Sequence, residues 1–180
     1  MEFNKVRFLT SMAMLTAVSL VLVAAVAFPV IPAASYLKYD PADVPILLGT
    51  FLFGTSAGLL LTAITAVLQG LLISTDGGPI GILMHFFATG SFVLVAGTIY
   101  HRAKTRKAAC AALLSGTLTM TVVMVVFNLI FTPLFLGAPM EKIVEMLLPV
   151  IIPFNLLKAG INSILTWIIY KPVSKFVHRE

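Results

Sequence analysis

The chain has 180 residues, of which 59% are hydrophobic and 11% charged, and its mean hydropathy is +1.06. Soluble domains carry about a quarter charged residues, so a soluble globular fold is excluded and residues 1–180 read as one integral membrane domain. The formal charge of +5 sits in short basic clusters between apolar runs, which argues against a nucleic-acid partner, and the lone Cys110 excludes an intramolecular disulfide or a cysteine-based metal cage.

Six apolar spans account for the sequence and predict an all-α membrane protein, several of them close to the ~20 residues needed to cross a bilayer core. The first runs from Arg7 to Phe28. Lys5 and Arg7 precede it and Ala25-Val26-Ala27 ends it, an arrangement that could pass for a cleavable signal. The run is longer than a usual signal core and further spans follow, so it is read as a retained helix. Ala13 and Ala17 form a small-xxx-small pair in it, a spacing that lets helices approach closely.

A polar island, Ser35 to Pro45, follows. It carries two tyrosines, a lysine and two aspartates, more chemistry than a connector requires. Asp43 has the position of an N-cap for the next helix, with Pro45 just inside. Tyr36 and Tyr39 could be interfacial belt residues. Lys38 is harder to explain that way, and Lys38, Tyr39 and Asp40 are the candidate ligand contacts of the loop. The second span, Val44 to Gly54, is too short to cross at ~1.5 Å per residue, so it should tilt or lean on neighbours. Short apolar segments of this kind point to binding sites in transporters.

The third span, Ala57 to Ile73, meets a turn at Ser74-Thr-Asp-Gly-Gly-Pro79. Gly81 and Met84 begin the fourth span, Ile80 to Tyr100, and are candidate ligand contacts, glycine allowing close approach. His85 reads more readily as a helix–helix hydrogen-bonding group than as a ligand. The basic stretch His101 to Lys107 leads into the fifth span, Ala108 to Thr132. A loop is expected over Pro133 to Glu145. The sixth span runs from Met146 to Tyr170, and a basic tail from Lys171 to Glu180 follows.

Basic residues fix the orientation. With both termini cytoplasmic, Lys5, Arg7, Arg102, Lys104, Arg106, Lys107, Lys171, Lys175 and Arg179 lie inside, and only Lys38 and Lys142 lie in outer loops. The island, the Asp76 turn and the Pro133–Glu145 loop then share the outer face. Lys158 lies within the sixth span, with Asn155 and Asn162 on the same helical face. A lysine at mid-helix costs about 2.5–3.5 kcal/mol on insertion scales, so it should face a cavity or protein. With Pro153 as an early helical residue, Asn155 and Lys158 should lie within two turns of the outer surface, at a depth similar to Asn128. The alternative is that Lys158 snorkels and the asparagines bridge helices.

No P-loop, His-Glu-x-x-His or Gly-x-Ser-x-Gly motif is present, so an enzyme is poorly supported and no catalytic or metal-binding residue is assigned. A binding protein that does not energise itself fits better.

Leu37-Lys-Tyr-Asp-Pro-Ala-Asp-Val-Pro45 leading into Phe51-Leu-Phe-Gly54, then Gly77-Gly-Pro-Ile-Gly81 with Met84-His-Phe86, and Gly90-Ser-Phe92, together resemble the riboflavin-specific substrate-binding S components of energy-coupling factor vitamin transporters. The likeness covers nearly the whole chain and is most specific from Leu37 to Phe92. It implies six transmembrane helices with a substrate loop after the first, in the cell membrane of a prokaryote. It implies riboflavin bound as transported substrate with no cofactor, contact with membrane lipid, and partnership with a T component and two cytoplasmic ATPase subunits. Ala13 and Ala17 match the motif that docks the T component. Asn128, Asn155, Lys158 and parts of the Tyr39-Asp40 loop match positions lining the riboflavin pocket.

Rival readings remain at this level. An S component for thiamine would want an aromatic cage and acidic partners, yet the only intramembrane charge in the spans is positive. A biotin-like carboxylate or a pterin stays open on chemistry alone. From other classes, a membrane enzyme or an assembly scaffold is possible.

Overall fold

A computed structural model describes residues 5–74 and 77–177 of the chain. Thr75 and Asp76 of the expected turn and Arg179 of the basic tail lie outside the described residues, as does the side chain of Lys175. The molecule is nearly all helical. Helix α1 spans Lys5–Val26, α2 Asp43–Phe53, α3 Thr55–Leu72, α4 Gly78–Ala103, α5 Arg106–Leu136, α6 Met140–Met146 and α7 Ile152–Val177. Among the described residues, five helical segments are long and apolar enough to cross a membrane, the last running from Met140 to Val173.

The short α2 leans on its neighbours, as its length predicts. Asp43 to Phe51 are all buried, and the helix packs against α1, α3, α4 and α7. A helix apolar all round belongs inside, and here it forms the axis of the bundle. Glycine makes this packing possible at two points. Gly54 adopts φ 108°, a conformation few other residues tolerate, and turns the chain directly from α2 into α3. A Cβ at Gly116 of α5 would overlap the ring of Phe92, which is how α4 and α5 come close.

The outer helices carry apolar residues on both faces. Leu114, Leu118, Val122, Val126, Ile130 and Leu134 form an exposed stripe along α5, while Ala109, Ala112, Leu113, Met120 and Met124 face the core. The outward face is as apolar as a core, as expected where hydrocarbon replaces water, whereas the buried face also carries Thr121, Asn128 and Thr132.

Three expected boundaries move. The chain between α1 and α2 is not a plain loop: Phe28–Pro29 pairs antiparallel with Lys38–Tyr39, and Pro32–Ala34 form a single tight helical turn. Helix α5 runs through Pro133 to Leu136, so the expected Pro133–Glu145 loop shrinks to Gly137, Ala138 and Pro139 before α6 begins. Pro133 falls in the last turn, where it forgoes only the one bond its own N–H would make back to Leu129, and Gly137 at φ 61° ends the helix just after Leu136. The final span starts at Met140 rather than Met146 and widens into a π-helical turn over Leu147–Ile151. Pro149 and Pro153 lie in and beside that turn, and the wider winding relieves their clash with preceding carbonyls. Asn155 and Lys158 therefore lie deeper along the helical run than a start at Pro153 would place them.

Candidate ligand-binding site

The segment between α1 and α2 is held down by a buried polar network reaching four helices. Lys158 Nζ lies 2.8 Å from Asp40 Oδ2, and the two residues are 9% and 4% exposed. Asp40 Oδ1 also accepts from the backbone N–H of Ala42 at 3.2 Å, closing a short turn. Burial alone would raise the Asp40 carboxyl, but the adjacent Lys158 ammonium outweighs it and holds the group below the usual carboxylate range. Asn162, one turn along from Lys158, donates to Asp43 Oδ2 at 3.0 Å and to the Asp40 carbonyl at 3.2 Å. Its own carbonyl accepts from Tyr39 Oη at 3.1 Å. Thr89 of α4 donates to Asp43 Oδ1 at 2.7 Å, and Ser19 of α1 donates to the Ala42 carbonyl at 3.1 Å.

Two expectations are corrected here. Asp43 is not a helix cap: Ala42 precedes the helix and makes no side-chain cap bond, and the Asp43 carboxylate is fully buried against Thr89 and Asn162. Nor is the interior charge only positive. Two carboxylates and one ammonium share it, because the island folds inward instead of lying across the outer surface.

Two adjoining cavities open beneath the segment. The inner one, about 180 Å³, lies among α4, α5 and α7, with Met84, Met120, Met124 and Phe154 as apolar wall and Asn128, Asn155 and Lys158 as polar points. The outer one, about 560 Å³, lies among α1, α3 and α4, bordered by Val23, Gln69, Ile82 and Asp40. Tyr36, Lys38, Gly77, Gly81, His85 and Phe135 border both, so the two chambers adjoin along these residues.

Of the residues singled out in the sequence, Lys38, Gly81, Met84, Asn128, Asn155 and Lys158 line the inner chamber, and Asp40 lines the outer one. Tyr39 lines neither. Its ring packs on Phe28 at 5.5 Å and its hydroxyl is committed to Asn162, so it braces the loop. Asn128 and Asn155 each spend one amide N–H on a carbonyl of their own helix, Met124 at 2.7 Å and Ile151 at 2.8 Å. Asn128 also accepts from Thr132, which leaves the Asn155 carbonyl oxygen as an open acceptor on the cavity wall. Ala13 and Ala17 are exposed on the outward face of α1, away from both chambers.

Sequence reasoning passed over Thr89, Gln69, Tyr36 and Phe135 as site residues, and it read His85 as a helix-bridging group. His85 Nε2 is instead buried without a hydrogen-bond partner and its side chain borders both chambers. The usable signal for Asn162 was its spacing of four from Lys158.

A bundle of long apolar helices around a buried short one, with polar chambers closed by an inward-folded loop, defines a multi-pass membrane protein built to hold a small ligand. The chain belongs to the family of ECF transporter substrate-specific components, whose pattern it matches over residues 7–170. It is 32% identical over 177 residues to the riboflavin transporter RibU of Staphylococcus aureus, covering 95% of this chain and 92% of that one. It is 33% identical over 181 aligned positions to RibU of Streptococcus thermophilus, covering 95% and 84%. It is 27% identical over 184 aligned positions to the riboflavin transporter FmnP of Bacillus subtilis, covering 98% and 96%. The solved structure of the S component of a bacterial ECF transporter superposes with a TM-score of 0.81 at 31% identity, covering 98% of this chain and all of that one.

Proposed function

We propose that this chain captures riboflavin at the outer face of the cell membrane and delivers it inward as the S component of an ECF transporter. The inner chamber carries the proposal: a methionine- and phenylalanine-walled slot with amide and ammonium groups at its rim suits a flat apolar tricycle edged by an imide. Asn155, Asn128 and Lys158 are the groups that would hydrogen-bond the flavin, with Lys38, Gly81 and Met84 around it.

In this reading α2 counts as the sixth span and both termini are cytoplasmic. Support comes from the basic residues at the Lys5, Arg102–Lys107 and Lys171 ends of the helices, and from the clustering of Phe51, Tyr100 and Tyr170 at the end opposite the loop. Energy would come from two ATPase subunits through a T component seated on the Ala13–Ala17 face of α1, whose small exposed residues permit close helix approach.

The test is direct. The purified chain should carry or take up a yellow ligand, quenching riboflavin fluorescence at about one molecule per chain, and uptake by cells should require the partner subunits as well. A chain that binds biotin, thiamine or a pterin in preference to riboflavin would overturn the assignment.

A further inference from the structure

The end of the bundle opposite the α1–α2 segment gathers positive charge that no described carboxylate neutralises. Lys104 takes a left-handed conformation (φ 49°) and turns the chain from α4 into α5 within two residues. The tight turn places Arg102, at the end of α4, and Arg106 and Lys107, at the start of α5, at the same end of the bundle, all exposed. The Arg106 guanidinium stands 5.9 Å from the centre of the Trp167 ring. Lys171 follows one turn beyond Trp167 on α7. The described carboxylates are all elsewhere. Asp40 and Asp43 are buried beneath the α1–α2 segment, and Glu141 and Glu145 are on α6, past the far end of α5. Arg106 and Lys107 also occupy the first turn of α5, which has no acidic residue. A helix N-terminus disfavours cations, so the placement is unfavourable until an anion from outside the chain offsets it.

The surroundings select the kind of anion. Trp167 is 44% exposed, and an indole of this sort settles at a membrane–water boundary. Deeper along the same two helices the surface is apolar, with Ile164 on α7 and Leu114 on α5 each 62% exposed. An acidic protein surface or a free phosphate would meet the charges alone. A phospholipid meets both, with its chains along α5 and α7 and its phosphate at the height of the basic residues. A guanidinium forks onto phosphate oxygens as an ammonium does not, and here the indole face steadies it. Basic clusters immediately beyond membrane helices attract anionic headgroups on the same physical grounds.

We propose that the junction of α4, α5 and α7 is a docking site for the headgroup of an anionic phospholipid. Arg106, steadied by Trp167, takes the phosphate, and Arg102, Lys104, Lys107 and Lys171 supply the surrounding positive field. None of these residues lines either ligand chamber, so the site does not depend on what the chambers bind. A lipid held there fixes the depth at which this end of the bundle sits in the membrane.

Trp167 is the one tryptophan of the chain, so its fluorescence reports this site without a label. The ligand-free full chain is reconstituted into equimolar vesicles of phosphatidylglycerol and phosphatidylcholine, with bromine on the acyl chains of one lipid or the other. Bromine quenches an indole it touches, so the comparison reads which lipid lies beside Trp167. In the wild type the anionic lipid should be enriched about fivefold or more over its bulk share, as one basic contact near the surface provides. R106Q should bring the enrichment within about twofold of bulk, and K104Q/K107Q should lower it partway. K142Q, on α6, should leave it unchanged. Melting temperature checks folding, and the two separate variants of the cluster keep the test decisive if one of them fails to fold. Equal quenching by the two brominated lipids in the wild type overturns the proposal and turns attention to an acidic protein partner. Enrichment that survives in every folded variant of the cluster also overturns it, since something other than these residues would then hold the lipid.

Discussion

The Asp40 carboxylate meets the Lys158 ammonium at 2.8 Å across 118 residues of sequence, and both groups are buried. The contact ties the segment between α1 and α2 to α7 at the rim of the two chambers. Removing one partner of a buried pair costs about 3–5 kcal/mol, because the survivor is left charged and uncompensated, whereas replacing both is far milder. D40N and K158M should each lower the melting temperature of the detergent-purified chain. The double variant should recover most of that loss. Riboflavin affinity behaves differently: K158M should weaken it more than tenfold with or without D40N. A double variant no more stable than the worse single one would show that the pair does not hold the loop.

The same pair fixes a pH dependence. Asp40 is held below its ordinary value by Lys158, so its contribution to stability is fully present above the unfolded carboxylate pKa of about 3.9 and is lost as pH falls through the lower folded value. Thermal stability of the ligand-free chain should therefore show no loss from this pair between pH 8 and pH 5, and D40N should flatten the decline below pH 4. A D40N-sensitive transition near pH 6–7, followed by melting temperature, would contradict the assignment.

Asn162 and Tyr39 share one hydrogen bond but should differ sharply in weight. Y39F removes a single hydroxyl contact, worth about 1 kcal/mol. N162L strips partners from the Asp43 carboxylate, the Asp40 carbonyl and the Tyr39 hydroxyl together, all buried. Each buried group left unpaired costs about 1–3 kcal/mol, more when charged. Y39F should fold and bind ligand with little change, while N162L should express poorly or melt far earlier. Similar melting temperatures for the two would mean that Asn162 is not the hub of the network.

Ala13 and Ala17 give a prediction of opposite kind. They are exposed on α1 and touch neither chamber. Leucine at both positions should leave riboflavin binding by the isolated chain within about twofold, since changes at exposed sites far from a network are nearly neutral. Uptake by cells supplying the T component and ATPases should fall at least tenfold if this face seats the T component. Loss of binding by the isolated chain would instead place α1 in the site.

The spans and the site were legible to different degrees. Apolar run length marked the helices, since a bilayer-crossing segment must be long and apolar whatever surrounds it. The helical face of Asn155, Lys158 and Asn162 followed from spacing alone. The carboxylates were not legible. Asp43 sits where an N-cap belongs and only tertiary folding turns it toward Thr89 and Asn162, and nothing local says that Asp40 will meet a lysine 118 residues away. Gln69 was invisible for a related reason. One polar residue near the end of an apolar span reads as interfacial until the neighbouring helices show that it faces a chamber. Proline misled in a third way, because Pro133 reads as the start of a loop and Pro153 as the start of a helix, yet the chain is helical through Pro133 and already helical ahead of Pro153, with a widened turn over Leu147–Ile151.

Gly81 offers the sharpest test of whether one ligand spans both chambers. It borders both, and a Cβ built on it meets nothing within 4 Å. It lies in α4 without a positive φ, so a side chain brings no backbone strain, and leucine is favoured over glycine in a helix by about 0.5–1 kcal/mol. G81L should therefore fold at least as well as the wild type while placing an isobutyl group at the junction. A ligand spanning both chambers would lose at least about a hundredfold in affinity, because overlap with a rigid tricycle cannot be relieved by small shifts in a packed bundle. Riboflavin titration and melting temperature of G81L together decide it: unchanged affinity in a stable variant would mean that the ligand does not pass this junction.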